Sequence, residues 1–219
     1  MRLPGGVLLV ACCLALSHAA AAQPALQTVT IAVTSKSASD WPTYIAEKYD
    51  FFAQNGIKPD IIVVGSSAGD AQQLAGGSVD VAEVTTTQLV EAIQGGAPIV
   101  GVVERAAGVP YYLIGKKGIT SVAQLKGKLI SIGGPTDITR IFMDTILTKN
   151  GLKPEDWTYT FAGATNVRFA ALVAGAIDAT FLFPPFSARA VSLGYSVIDE
   201  VPKYFPNFPF DTWAVRVSW

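Results

Sequence analysis

Histidine and cysteine are nearly missing from this sequence, and the positions of the few copies matter more than their number. Among 219 residues there are two cysteines and one histidine. All three, Cys12, Cys13 and His18, fall within the first 22 positions. From Gln23 onward there is no thiol nucleophile, no imidazole base, and no soft or imidazole ligand for a metal. A disulfide is equally unavailable, although an exported chain is free to form one. Charge is also scarce. Charged residues make up 15% of the chain and the net charge is -1, which gives no electrostatic basis for binding nucleic acid or an anionic membrane surface. The apolar run from Val7 to Leu16 is too short to span a bilayer.

That run belongs to a segment, residues 1–22, that reads as a secretory signal peptide. Arg2 supplies the positive start, and Ala20-Ala21-Ala22 offers an A-x-A cleavage site before Gln23. The periplasm is then the expected location. Two other readings stand beside it. One is a buried N-terminal helix. The other is a lipid anchor through Cys12, because Leu9-Val10-Ala11-Cys12 has the form of a lipoprotein cleavage box.

The most informative feature of the remaining chain is an internal echo. Leu74 to Val100 and Leu172 to Ile198 share one order: helix end, short strand, turn, helix, glycine, strand. Leu74, Gly77, Asp80 and Gly96 fall on Leu172, Gly175, Asp178 and Gly194 at constant spacing. Asn55-Gly56-Ile57-Lys58-Pro59-Asp60 likewise precedes the first copy as Asn150-Gly151-Leu152-Lys153-Pro154-Glu155 precedes the second. Two similar halves imply two lobes with a cleft between them. The matching positions of Asp80 and Asp178 at strand starts mark them as structural rather than as a reactive carboxylate pair.

Taken in order, the chain alternates strands and helices. Gln27 to Val33 is a β-branched run. Trp41-Pro42 opens a helix whose apolar face is Ile45, Tyr49, Phe52 and Ala53. Strands are expected at Asp60–Val64, Val79–Val84, Ile99–Val103, Leu129–Ile132, Trp157–Phe161, Ala176–Phe183, Tyr195–Ile198 and Phe210–Trp219. Val122 to Gly127 reads as a short helix. Ser67 with Asp70 and Thr85 with Gln88 have capping-box spacing, and Thr165-Asn166 reads as a helix cap. Alternation of this kind predicts a mostly parallel α/β sheet in each lobe. Ligands of such sheets lie at the carboxyl ends of strands, beside helix starts whose amides bind anions.

The chain also resembles a known family. The residues that carry the likeness are Tyr44 to Lys48 with Phe51 to Ile57, Leu74 with Gly76 to Ala82, Gly96-Ala97-Pro98, Gly118 to Lys128, and Gly151 to Asp156. In order and spacing they resemble the periplasmic substrate-binding proteins of ABC importers, of the nitrate/sulfonate/taurine and thiamine-pyrimidine-precursor-like group. The resemblance implies a two-lobe fold that closes on a small, anionic or aromatic molecule and delivers it to a membrane permease. It implies a monomer with no cofactor, no metal and no enzymatic activity. Lobe 1 would comprise residues 27–109 and 210–219, lobe 2 residues 111–204, with hinges near 109–113 and 205–210. Members of the family usually continue for helices that cover lobe 1, so apolar sheet surface is expected to lie open there.

The family pattern places candidate ligand contacts in six turns. Lobe 1 would offer Ser35, Ser39, Trp41 and Tyr44, then Ser66, Ser67 and Ala68, then Thr85, Thr86 and Thr87. Lobe 2 would offer Gly134, Thr136, Asp137, Thr139 and Arg140, then Thr165, Asn166 and Arg168, then Phe183, Pro184 and Phe186. Arg140, one turn into its helix, offers a partner for a carboxylate or sulfonate; a solvated arginine is the other reading. Gly65-Ser66-Ser67-Ala68-Gly69 also fits the G-x-S-x-G of a hydrolase elbow, but that chemistry needs a base for Ser67, and the mature chain lacks histidine. A ligand-sensing module for a membrane receptor is the further alternative.

Overall fold

The computed structural model describes residues 25–106 and 108–219. The expected signal peptide, with Cys12, Cys13 and His18, lies outside the described residues. The first half comprises β1 (Gln27–Val33), α1 (Trp41–Lys48), α2 (Phe51–Gln54), β2 (Ile57–Val63), α3 (Ser67–Ala75), β3 (Val81–Thr85), α4 (Thr86–Gln94) and β4 (Ile99–Glu104). The second comprises β5 (Tyr112–Gly115), β6 (Lys128–Ile132), α5 (Ile138–Lys149), β7 (Trp157–Phe161), α6 (Thr165–Val173), β8 (Ala179–Leu182), α7 (Phe186–Ser192) and β9 (Ser196–Glu200). The chain then returns to the first half as β10 (Asp211–Arg216).

Two five-stranded sheets result, ordered β2-β1-β3-β10-β4 and β7-β6-β8-β5-β9. They share one plan. The first three strands of each run parallel, and the fourth, β10 or β5, is antiparallel to both neighbours. In both sheets that odd strand follows a crossover between lobes. The fold is thus the mixed α/β, two-lobe arrangement that the repeat predicts.

Each sheet sorts its side chains by the two-residue period of a strand. In β1, Val29, Ile31 and Val33 face one cluster with Phe52, Ile57 and Trp213, while Ala32 faces α3 and α4 with Leu74, Val84 and Ala214. The largest core belongs to lobe 2, where Phe142, Met143, Ile146 and Leu147 of α5 pack on Ile130, Ile132 and Phe181. Lobe 1 is less well covered. An apolar groove of about 350 Å³, lined by Val29, Ile31, Phe52, Trp213 and Trp219 among others, lies on its sheet. Val102 and Val103 of the edge strand β4 are also exposed.

The repeat has a common physical basis in both lobes. The Asp80 carboxylate accepts from the Thr30 amide, and Asp178 accepts from the Leu129 amide, each tying the start of β3 or β8 to its parallel neighbour. Gly77 and Gly175 both adopt the left-handed conformation, φ 79° and 74°, that ends α3 and α6 and that a side chain disfavours. Replacing Asp178 with alanine leaves the Leu129 N–H without its acceptor and is expected to cost about 1–3 kcal/mol. A lowered urea midpoint with an unchanged slope would show it.

Several local expectations are corrected. β2 starts at Ile57, earlier than the Pro59 within it suggests, because it is an edge strand where a missing donor is tolerated. The helix opened by Trp41 breaks at Asp50, which is left-handed at φ 58°, so Ile45 and Tyr49 remain exposed. β3 and β8 begin two and three residues late, at Val81 and Ala179. Residues Val122–Leu125 form a single 3-10 turn.

Candidate functional site

The first hydroxyls within α3 and α6, those of Ser67 and Thr165, serve the strands, not the helices. Ser66 caps α3 by accepting from the Gly69 amide, so the cap lies one residue before Ser67. Ser67 Oγ instead accepts from the Thr85 amide at 2.8 Å, and Thr165 Oγ1 accepts from the Phe183 amide at 3.1 Å. Both bonds tie a helix start to the strand end beside it. Thr85 makes no side-chain cap, and the cap of α6 is Ala164. Ser67 is therefore a strand-end tether, and no histidine exists among the described residues to activate it.

These strand ends meet in one cleft. Lobe 1 contributes Thr34, Ser35, Ser37, Ser39, Ser66, Ser67, Glu83 and Thr85. Lobe 2 contributes Asp137, Ile138, Gly163, Ala164, Thr165, Arg168 and Phe183. Tyr111 and Phe210, from the two crossovers, close the side where the chain passes between lobes. The space open to the centre of a water molecule is about 50 Å³, room for a compact group of a few heavy atoms. Phe183 and Phe210 stack, and Tyr111 meets both edge-on, with ring centroids 5.3 to 5.8 Å apart. Burial raises the pKa of the Tyr111 phenol above its ordinary value, so the hydroxyl stays protonated.

Lobe 2 brings two charged groups to the cleft. Arg168 is 2% exposed. It donates to the carbonyls of Phe181 and Gly163 and to the Tyr111 hydroxyl. All of those acceptors are neutral, and no carboxylate among the described residues pairs with it. Asp137, the other lobe 2 charge, caps α5 and accepts from the Thr139 amide and hydroxyl, where the helix terminus offsets it.

Beneath lobe 1's wall lies a second cluster. Arg105 sits within 2.9 Å of Asp40, 2.7 Å of Glu83 and 3.0 Å of Asp211, all nearly inaccessible to solvent. It also donates to the Ser39 carbonyl and stacks on Trp213. Asp70 accepts from the Thr34 hydroxyl nearby, and one oxygen each of Asp70 and Asp211 has no partner. Burial, reinforced by Glu83, raises Asp40 to about 7. Burial raises Asp70 to about 8 and Asp211 to about 8. Burial lowers the Arg105 pKa, but Glu83, Asp211 and Asp40 together hold it above its usual value. Among the described residues no cluster of three or more acids, histidines or cysteines is arranged to hold a metal.

Of the residues expected at the site, the structure brings Ser35, Ser39, Ser66, Ser67, Thr85, Asp137, Thr165, Arg168 and Phe183 to the cleft. Others lie elsewhere. Trp41 is 55% exposed, and the Tyr44 hydroxyl is buried without a partner outside the cleft. Ala68 faces a groove between α3 and α4. Thr86 donates to Pro209 at the return crossover, while Thr87 contacts Thr85. Thr136 accepts from Gln88, and Thr139 braces Asp137. Gly134, Asn166, Pro184 and Phe186 do not line the cleft. Arg140 points along the outer face of α5, donating to Pro135 and pairing with Asp144. Within the candidate turns sequence reasoning did not single out Thr34, Ser37, Ile138, Gly163 or Ala164, and it missed Glu83, Tyr111 and Phe210 as cleft residues. The signal for Glu83 was available, as a lone acid inside the apolar strand Val81–Thr85.

The lobes touch at the cleft rim. The Ala38 amide donates to the Pro184 carbonyl at 2.9 Å, and Gln88 Nε2 donates to the Thr136 carbonyl at 3.0 Å. The turns of the two lobes therefore close over the cavity.

The fold recurs in solved proteins. A protein from Bordetella bronchiseptica RB50 is 24% identical with a TM-score of 0.73, and the match covers 87% of this chain and 64% of that one. The alkanesulfonate-binding protein SsuA from Xanthomonas axonopodis pv. citri, bound to MOPS, is 20% identical with a TM-score of 0.71, covering 90% and 67%. The periplasmic nitrate-binding protein NrtA from Synechocystis PCC 6803 is 14% identical with a TM-score of 0.74, covering 89% and 56%. The chain thus spans roughly two thirds or less of the length of these proteins. No curated protein sequence matches it. The family model described as NMT1/THI5 like matches residues 38–192. With well over half of its length matched, this chain belongs to the NMT1/THI5-like family.

Proposed function

We propose that this chain is a periplasmic solute-binding component of an ABC import system, which holds a small anion between its lobes for delivery to a membrane permease. The observation that carries the reading is Arg168. A guanidinium nearly sealed from solvent, donating only to neutral groups, is costly in a low-dielectric setting. An anion in the cleft would offset that cost through charge-assisted hydrogen bonds. The hydroxyls of Ser35, Ser66 and Thr85 offer neutral donors on the opposite wall. Tyr111, Phe183 and Phe210 give the cleft an apolar floor suited to a compact hydrocarbon body. Two structural neighbours are named for binding anions, alkanesulfonate and nitrate.

The test is a thermal-shift screen with nitrate, methanesulfonate, taurine, a pyrimidine and benzoate. A ligand at a hundred times its dissociation constant adds about 2.7 kcal/mol, which raises the midpoint by roughly 5–10 °C for a chain of this size. A rise with an anion and none with the pyrimidine is expected. A rise with the neutral pyrimidine alone would overturn the anion reading.

Arg168→Met should then weaken the anion about 10–100-fold, the equivalent of one charged hydrogen bond at about 1.5–3 kcal/mol. Titration calorimetry on a variant with an intact melt would measure it. Replacing Arg140, which lies outside the cleft, should leave affinity unchanged.

A further inference from the structure

We propose that Gly163 sets how far the two lobes shut: its missing side chain is the space into which the Gly65 carbonyl of the opposite lobe closes. The proposal rests on the two-lobe binding reading above and assigns the closure stop to a particular backbone contact.

A Cβ built on Gly163 would stand 2.9 Å from the Gly65 oxygen. Real Cβ atoms essentially never approach backbone oxygen that closely, and neither partner is the flexible end of a side chain. Gly163 is pinned within lobe 2. Its amide donates to the Gly133 carbonyl at 3.0 Å, and its own carbonyl accepts from Arg168. Gly65 joins β2 to α3, where Ser66 is fixed by its cap to Gly69. Neither turn can yield without breaking a bond in its own lobe, so an added methyl pushes the lobes apart at this edge. The other rim contacts are Ala38 to Pro184 at 2.9 Å and Gln88 to Thr136 at 3.0 Å. Both are short hydrogen bonds between the same two bodies. A displacement of several tenths of an ångström at Gly163 lengthens them together.

Gly163 is also left-handed, φ 61°, so any substitution there carries backbone strain as well as the clash. Gly151 separates the two effects. It lies in the same lobe at φ 86° with nothing within 4 Å of a built Cβ. Gly151→Ala therefore carries comparable strain and no contact between lobes.

The experiment measures the distance between lobes by double electron–electron resonance. Spin labels are placed at Lys58→Cys and Thr148→Cys, both exposed positions, in the full chain with Cys12 and Cys13 replaced by serine. The expected result is a short-distance population shared by the parent and Gly151→Ala and depleted in Gly163→Ala. Gly163→Asn, which tolerates the left-handed region better but still carries a Cβ, should behave like Gly163→Ala and keeps the test open if the alanine variant folds poorly. Distributions for Gly163→Ala and Gly163→Asn that superimpose on the parent overturn the proposal. An equal shift in Gly151→Ala overturns it too, by assigning the effect to strain. The measurement uses no ligand, so failure of the binding reading would appear separately, as an empty thermal-shift screen.

Discussion

Replacing Arg105 with methionine is expected to destabilise the chain by about 3–5 kcal/mol, the usual result of removing one partner from a buried ion cluster. The midpoint of thermal unfolding should fall by roughly 6–20 °C. The size follows from what Arg105 holds. It is the cation shared by Asp40, Glu83 and Asp211, so its loss leaves three buried acids facing one another. It also fixes the Ser39 carbonyl, and with it the loop that carries Ser35, Ser37 and Ser39 into the cleft. Arg105→Lys should lie between parent and methionine, because an ammonium keeps the charge but cannot fork to all of these acceptors at once. A methionine variant that melts with the parent would show that the acids are already neutral and need no cation.

A second large effect concerns pH. Asp40, Asp70 and Asp211 have ordinary values near 3.8 and folded-state values raised to about 7, 8 and 8. Burial is the leading cause in each, and Glu83 and Arg105 are the charges facing them. The folded chain thus keeps protons that the unfolded chain has already shed. The stabilisation is fully present below the unfolded values, about pH 4, and declines as pH rises through the folded values. It reaches its floor above about pH 8. Each group contributes a slope of at most about 1.4 kcal/mol per pH unit within that window. Melting midpoints should therefore fall steadily from pH 5 to about pH 8 and level off above it. Asp70→Asn preserves an acceptor for the Thr34 hydroxyl and removes the titration. It should flatten the profile by up to one proton and be more stable than the parent at pH 9. Parallel profiles for the two chains would remove Asp70 from the account.

Much of the fold was legible because its signals are local. The spacing of Leu74, Gly77 and Asp80 against Leu172, Gly175 and Asp178 reports a strand start tethered to its neighbour, and the structure shows the same bond twice. The site was legible where strand ends define it, as at Ser66 and Thr165. The candidate cleft was not legible where membership depends on which face of a helix a residue occupies. Arg140 stands beside Ile138, Thr139, Phe142 and Met143, all of them buried. The helical period applied to α5 assigns Arg140 to the outer face, while Arg168, with Phe169 and Leu172, belongs to the buried face of α6. The Arg105 cluster was invisible for a different reason. Its members run from Asp40 to Asp211, with Arg105 65 residues from the first and 106 from the last, a separation no short pattern encodes.

The place of β10 has a consequence for how the chain is made. Lobe 2 draws all five of its strands from one continuous stretch, whereas β4 of lobe 1 pairs only with β10. Between Glu104 and Asp211 lie 106 residues. At about 5–20 residues per second, β3 and β4 wait roughly 5–20 s after synthesis with open edges, each a template for wrong pairing. Lobe 2 is complete before lobe 1 can be. Arg105 waits as well, its cluster one acid short until Asp211 arrives with the strand that fills the gap. The dehydration of that arginine is thereby postponed to the last step of assembly, when the sheet that must enclose it is finally whole.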